Sequence, residues 1–184
     1  MNFKNFKKEK STSKFKGIVS EVFHRSFNNN IHEYVVLPDV ARVIAITNDN
    51  KFLLLREKSF SYKKSYFSLP GGTVEDTEKP KQAALRELEE ETGYTSKNIK
   101  LWFDYNFSQT VISKKHYFIA KNCEKKSIPK LDLNENIVVL KLGYDEFLKN
   151  VLSDRFKNME IQNIFYRLKL DKKEEEKFKN LLNN

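Results

Sequence analysis

The sequence is poor in cysteine, glycine, proline and histidine. A single cysteine, Cys123, excludes an internal disulfide. It has no Cys or His beside it and reads as a structural thiol. Five glycines and four prolines in 184 residues leave little material for long linkers. No run reaches the roughly 18 apolar residues of a membrane-crossing helix. The opening MNFKNFKKEKSTSKFK is basic with no apolar run behind it, which argues against a secretory signal and makes a cytoplasmic protein the expectation. His24, His32 and His116 stand singly, so no Cys/His cluster offers a zinc site, and each reads as a structural or surface residue.

What is present suits one soluble globular domain. Hydrophobic residues make up 39% and charged residues 32%. Fifteen Phe and eight Tyr must supply much of the core. Lysine and arginine total 34 against 25 acids, a formal charge of +9. That balance attracts polyanions, whether nucleic acid or a phosphorylated small molecule. Many of the lysines are more simply surface solubilisers.

Residues 1–16 are expected to form a basic, weakly structured arm, and 17–184 a single domain with a charged C-terminal helix. Gly17–Phe27 and His32–Leu37 read as strands around Asn28-Asn29-Asn30, a hairpin signal. Ala41–Thr47 and Lys51–Glu57 read as a second hairpin around Asn48-Asp49-Asn50. Ser61–Phe67 reads as a loop. Ile99–Phe107, His116–Lys121 and the second half of Leu131–Leu142 read as further strands. Two helices are expected near the end, at about Tyr144–Leu152 and about Met159–Leu182. Strands, one helix, more strands, then helices describe an α/β protein with a mixed or largely antiparallel sheet.

The chemistry is concentrated in Gly72–Tyr94, GTVEDTEKPKQAALRELEEETGY. Pro80 suits the first helical position, Gln82 can reach back to an orphan N–H, and Gly93 suits the left-handed position past the end. At about 100° per residue, Glu87, Glu90 and Glu91 share an arc, beside a packing stripe of Ala84, Leu85 and Leu88. A like-charge pair at about 4 Å costs about 4 kcal/mol at an effective dielectric of 20, and only a few tenths in solvent. Carboxylates that approach a shielded cleft therefore need a counter-cation. Arg86 offsets part of the repulsion, through Glu90 or Glu78. The remaining hard oxygen donors suit Mg²⁺ or Mn²⁺, an arrangement that supports hydrolysis at phosphorus. Taken alone, the acidic run is more simply a solvated helix face.

The full spacing resembles the Nudix box, G-x5-E-x7-R-E-U-x-E-E-x-G-U, at every fixed position, with the aromatic Tyr94 as the soft departure. The resemblance covers about residues 17–170. It implies an α/β/α sandwich and a hydrolase that cleaves the pyrophosphate link of a nucleoside-diphosphate compound. It implies that Glu87 and Glu91 hold the metal, with Glu90 as a further ligand or orienting acid and the Gly71 carbonyl joining them. Arg86 and Glu78 would hold loop to helix, and Gly72 would let the loop backbone approach the metal. Leu53–Phe60, Ser68–Glu75 and Leu133–Val139 are most similar to the ADP-ribose and nucleotide-sugar pyrophosphatase branch. There Glu135 occupies the place of a late catalytic acid, and Arg56 is a candidate contact for substrate phosphates; a plain loop acid and a solvated strand-end arginine are the alternatives. A homodimer is expected from the same resemblance. Asn106–Thr110, NFSQT, lacks the Pro and Gly of that branch's turn, which bears on ADP-ribose itself. Nucleoside triphosphates, dinucleoside polyphosphates and capped RNA are the alternative substrates, and a nucleotide-binding regulatory module is the non-enzymatic reading.

Overall fold

The computed structural model describes residues 11–58, 64–131 and 136–183. Its first sheet comprises β1 (Thr12–Lys16), β2 (Glu21–Phe27), β3 (Asn30–Val36) and, added in parallel to β3, the short β10 (Val111–Ile112). The β2–β3 hairpin turns on Asn28 and Asn29, both at positive φ (50° and 63°), which a twisted two-residue turn requires and asparagine tolerates. Most of the basic arm expected over residues 1–16 lies outside the described residues, but its last part is a strand. Thr12–Lys16 is an edge strand paired antiparallel with β2, and a Gly17 N–H to Ser20 carbonyl bond of 2.8 Å closes the turn between them. Its side chains are all exposed, so backbone pairing rather than burial orders it.

The second sheet carries the core. It contains β4 (Val40–Thr47), β5 (Phe52–Lys58), β6 (Ser65–Ser68), β7 (Gly71–Thr73), β8 (Tyr94–Thr95), β9 (Asn98–Asn106), β11 (Lys114–Lys125) and β12 (Ile137–Leu142). β4 and β11 run parallel, whereas β5, β7, β9 and β12 join antiparallel, so the sheet is mixed as expected. Ser65–Ser68 corrects the loop expected over Ser61–Phe67. Its Phe67 and Ser68 are buried, and it pairs with β5 from Leu55 to Lys58.

Side chains alternate across β4. Ala41, Val43 and Ala45 pack toward α1 (Pro80–Thr92), against Ala83, Ala84 and Leu88. Ile44 and Ile46 face the other way, toward α2 (Tyr144–Val151), α3 (Met159–Leu170) and α4 (Lys172–Asn183), through Phe147, Ile161, Phe165 and Phe178. Helices on both faces make an α/β/α sandwich. Full burial of a side chain such as Leu88 stabilises by about 1.5–3 kcal/mol, enough to seat α1 firmly. The helix expected over Met159–Leu182 is two. The chain breaks at Asp171, at φ −119° and ψ 100°. Its carboxylate then accepts the Lys173 N–H at 2.9 Å and the Glu174 N–H at 3.3 Å, starting α4.

The sheet splits beside the loop that matters. β4 and β5 bond to each other only at Ala45–Leu53 and Ile46–Phe52. Beyond that, β6 takes over β5 and β7 takes over β4, and Leu69-Pro70-Gly71 bridges the gap. The Val43 N–H donates to the Pro70 carbonyl at 2.9 Å. On the opposite side of β4, the turn at 106–110 is tied without Pro or Gly, because Ser108 Oγ accepts the Thr110 and Val111 N–H groups. Among the described residues no helix is long and apolar enough to cross a membrane.

Candidate active site

α1 starts and stops as its residues dictate. Gln82 Oε1 accepts the Lys79 N–H at 2.9 Å, half of a capping box, and Pro80 occupies the first turn. Gly93 ends the helix at φ 75°, where an added Cβ would stand 2.1 Å from the Ser127 carbonyl oxygen. The helix thus presents its acids to the loop Leu69–Thr73 at a fixed register.

Arg86 organises the outer edge of this surface. It pairs with Glu78 at 2.7 Å, and its Nη1 donates to Glu87 and to Glu90, each at 2.9 Å. Nη2 also donates to the Thr73 carbonyl at 3.0 Å, so one guanidinium fastens the helix to β7 and to the turn before it. Arg86 is held protonated well above the usual range, first by Glu78 and then by Glu87 and Glu90, against a cost from burial.

The inner edge is drier. Glu91 is 7% exposed, and its Oε2 accepts the Gly71 N–H at 2.7 Å. Burial pushes its carboxyl up to about 8, with Glu87 and Glu57 adding repulsion and the Gly71 N–H and Arg42 opposing it. Burial likewise raises Glu87, against Arg86. Gly72 makes room for Glu87, since a Cβ there would lie 2.4 Å from Glu87 Oε1. Gly71 sits at φ 138°, against the backbone of Ala41 and Arg42, in a region closed to other residues.

The structure therefore brings Gly71, Gly72, Glu78, Arg86, Glu87, Glu90 and Glu91 together, with Gly93 closing the helix. Glu135 lies outside the described residues. Arg56 is exposed on β5 and opposite Phe67, whereas its neighbour Glu57 shares the other side with Tyr66 and Ser68. Tyr66 donates to Glu57 at 2.7 Å, and Ser68 donates to its other oxygen. Glu57 and Arg42 are site-lining residues that the sequence reading passed over. The only available signal was a charged residue at the end of an apolar strand (Glu57) or inside one (Arg42). The guanidinium of Arg42 donates to the Leu69 carbonyl at 3.1 Å and to the Gly71 carbonyl. Lys157 lies over the Tyr66 ring.

A divalent ion fits this donor set. Glu87 and Glu91 offer hard oxygens beside the Gly71-Gly72 loop, and a buried carboxylate that retains its proton to about 8 favours a cation in the proton's place. Among the described residues no three acidic, His or Cys side chains converge at ligand spacing. The reason is visible: Arg86 draws Glu87 and Glu90 toward itself, while the Gly71 N–H engages Glu91.

A sheet flanked by helices, with an acid-bearing helix locked to a glycine loop, is the arrangement that the resemblance over residues 72–94 implied. The NUDIX domain model matches residues 37–160, and the chain belongs to the Nudix family. It is 34% identical over 128 residues to the methanol dehydrogenase activator of Bacillus methanolicus, covering 67% of this chain and 68% of that one. It is 32% identical over 129 residues to the ADP-ribose pyrophosphatase of Bacillus subtilis, covering 66% of each. A solved ADP compounds hydrolase superposes with a TM-score of 0.68 at 15% identity, over 88% of this chain and 90% of that one, which supports the shared fold. Family members hydrolyse pyrophosphate links and generally use divalent metal ions.

Proposed function

We propose that the chain hydrolyses the pyrophosphate bond of a nucleoside-diphosphate-linked compound with Mg²⁺, or Mn²⁺ in its place, and that ADP-ribose or a nucleotide sugar is the substrate. The observation that carries the reading is the engagement of Glu91 and Glu87 with the Gly71-Gly72 loop, a partly buried acidic surface whose charge a divalent cation would offset. The name of the Bacillus subtilis relative supports the choice of substrate.

Glu87, Glu91 and the Gly71 carbonyl would hold the ion, with Glu90 released from Arg86 as a further ligand or orienting acid. When bound, the ion neutralises phosphate charge and acidifies water. Water attacks one phosphorus, the bridging P–O bond breaks, and two monophosphates leave. Glu135 is the proposed acceptor of the water's proton, on its place ahead of β12. Gly71 and Gly72 allow the close approach of backbone and carboxylate. Arg86 and Glu78 keep the loop and α1 in register, and the exposed Arg56 contacts the substrate's phosphates.

The test is product analysis by mass with ADP-ribose, nucleotide sugars, diadenosine polyphosphates, nucleoside triphosphates and capped RNA. AMP and ribose 5-phosphate from ADP-ribose support the reading. Turnover restricted to triphosphates or capped RNA keeps the site and overturns the substrate. Hydrolysis of none of them favours a nucleotide-binding regulatory module.

A further inference from the structure

Gly71 is gripped from both ends. Its N–H is held by Glu91 and its carbonyl by Arg42, which also donates to the Leu69 carbonyl. Arg42 stands on β4 directly opposite Gly71, and Tyr117 on β11 is its neighbour on the other side. Burial raises the carboxyls of both Glu87 and Glu91, and the charge of Arg42 opposes that rise in each, which places it as the inner counterpart of Arg86. Arg86 has four partners of its own along the outer edge. Arg86 compensates Glu87 directly, and Arg42 adds a second, more distant positive charge that reaches both Glu87 and Glu91.

The carbonyl that Arg42 occupies is the one assigned above to a divalent ion. A cation delivered there meets a fixed positive charge, and a guanidinium displaced from it carries a planar fork of donors that matches a phosphate. Lys157 is depressed by burial, with Glu57 opposing and Arg42 adding to it, so it shares the surroundings of both. The displaced guanidinium therefore remains near a second cation, Lys157, and a phosphate is an anion to which both can turn.

Resting on the metal site proposed above, we infer that Arg42 is an exchangeable counter-cation: it holds the Gly71 carbonyl in the metal-free protein and transfers to a substrate phosphate when a divalent ion takes that carbonyl. Ion and nucleotide then bind cooperatively, and Arg42 is the link. Coupling of this kind is reciprocal, so each ligand tightens the other by the same factor.

The experiment is calorimetric titration of the full chain with Mn²⁺, with and without AMP as the phosphate probe. In the wild type, AMP tightens Mn²⁺. Arg42→Gln removes the competing charge while retaining a donor for the carbonyl. It is expected to bind Mn²⁺ without AMP about fivefold more tightly, and to lose the AMP effect. Arg42→Lys keeps the charge on a shorter stem; it should stay close to the wild type without AMP and keep only part of the coupling. It also serves if the glutamine variant melts early. Mn²⁺ affinity that is unchanged or weakened in Arg42→Gln, or AMP coupling that survives in both variants, overturns the inference. A wild type that binds no Mn²⁺, or a Glu91→Gln variant that binds it as well as wild type, brings down the metal site itself.

Discussion

The Gly71 nitrogen and Glu91 Oε2 lie 2.7 Å apart, and this single bond joins the positive-φ glycine of the loop to the most buried acid of the helix. Glutamine at 91 keeps an oxygen for that N–H and removes the charge. Turnover of Glu91→Gln should fall on the order of a thousandfold, the several kcal/mol expected when a ligand of a catalytic ion is lost. The fold should survive. Near-normal turnover removes Glu91 from the site.

The same substitution carries a pH prediction in metal-free buffer. An unfolded glutamate titrates near 4.5, whereas Glu91 in the folded chain keeps its proton to about 8. The contribution to stability is therefore full below 4.5 and is lost as pH rises through 8. Metal-free wild type should melt progressively earlier across that window, and Glu91→Gln should melt later than wild type at neutral pH. Added Mn²⁺ should raise the wild-type melting temperature and leave the variant nearly unmoved. Identical melting profiles of the two proteins would show that Glu91 is not desolvated.

Gly72 has a narrower role. A methyl group at this position would meet Glu87 Oε1 at 2.4 Å, and the obstacle is the far end of a side chain, which can swing away. Gly72→Ala should therefore cost little stability, within about 1 kcal/mol, but displace Glu87 and lower both Mn²⁺ affinity and turnover. A variant that unfolds, or one that is fully active, contradicts this account of the glycine. Gly71→Ala is a different case, because backbone atoms of Ala41 and Arg42 stand in the way at φ 138°.

Arg86 binds Glu78, Glu87, Glu90 and the Thr73 carbonyl with one planar group. Lysine cannot reproduce that fork. Arg86→Lys is expected to lose about 2 kcal/mol by denaturant unfolding, the range for charged hydrogen bonds, and to lower turnover by loosening loop and helix together. If stability holds and only turnover falls, Arg86 acts on the reaction rather than on the scaffold.

Residues 72–94 were legible because they combine local rules. A cap, a stop glycine and a helical acid stripe each follow from near-neighbour chemistry, and the structure reproduces all three. Arg42 and Glu57 were not legible. Each is brought to the loop by the split between β4 and β5, a feature of long-range pairing that no local pattern announces. The strand at Ser65–Ser68 escaped for the same reason, since Phe67 is buried by Phe156 and the C-terminal helices far along the chain. The break at Asp171 was missed because helical periodicity continues on both sides of a residue whose side chain starts a second helix.

His116 gives the last prediction, and it concerns the sheet rather than the site. Its Nδ1 meets Asp104 Oδ1 at 2.8 Å across β9 and β11, and its Nε2 faces Asp39 Oδ2 at 3.6 Å, a charge contact longer than a hydrogen bond. Asp39 also accepts the Lys114 N–H at 2.8 Å, at the junction between the two sheets. Burial alone would push the imidazole down, but Asp39 and Asp104 outweigh it and hold it above the ordinary value of 6.5. The charged pair then contributes stability that is fully present below 6.5 and is lost as pH rises through the raised value. Glu91 titrates in an overlapping window, so the comparison belongs in the Glu91→Gln background. There, denaturant unfolding between about pH 6 and about pH 9 should show stability falling with His116 and nearly flat with His116→Asn. Equal slopes in the two proteins would mean that the imidazole is neutral at this junction and that Asp39 is held by the Lys114 backbone alone.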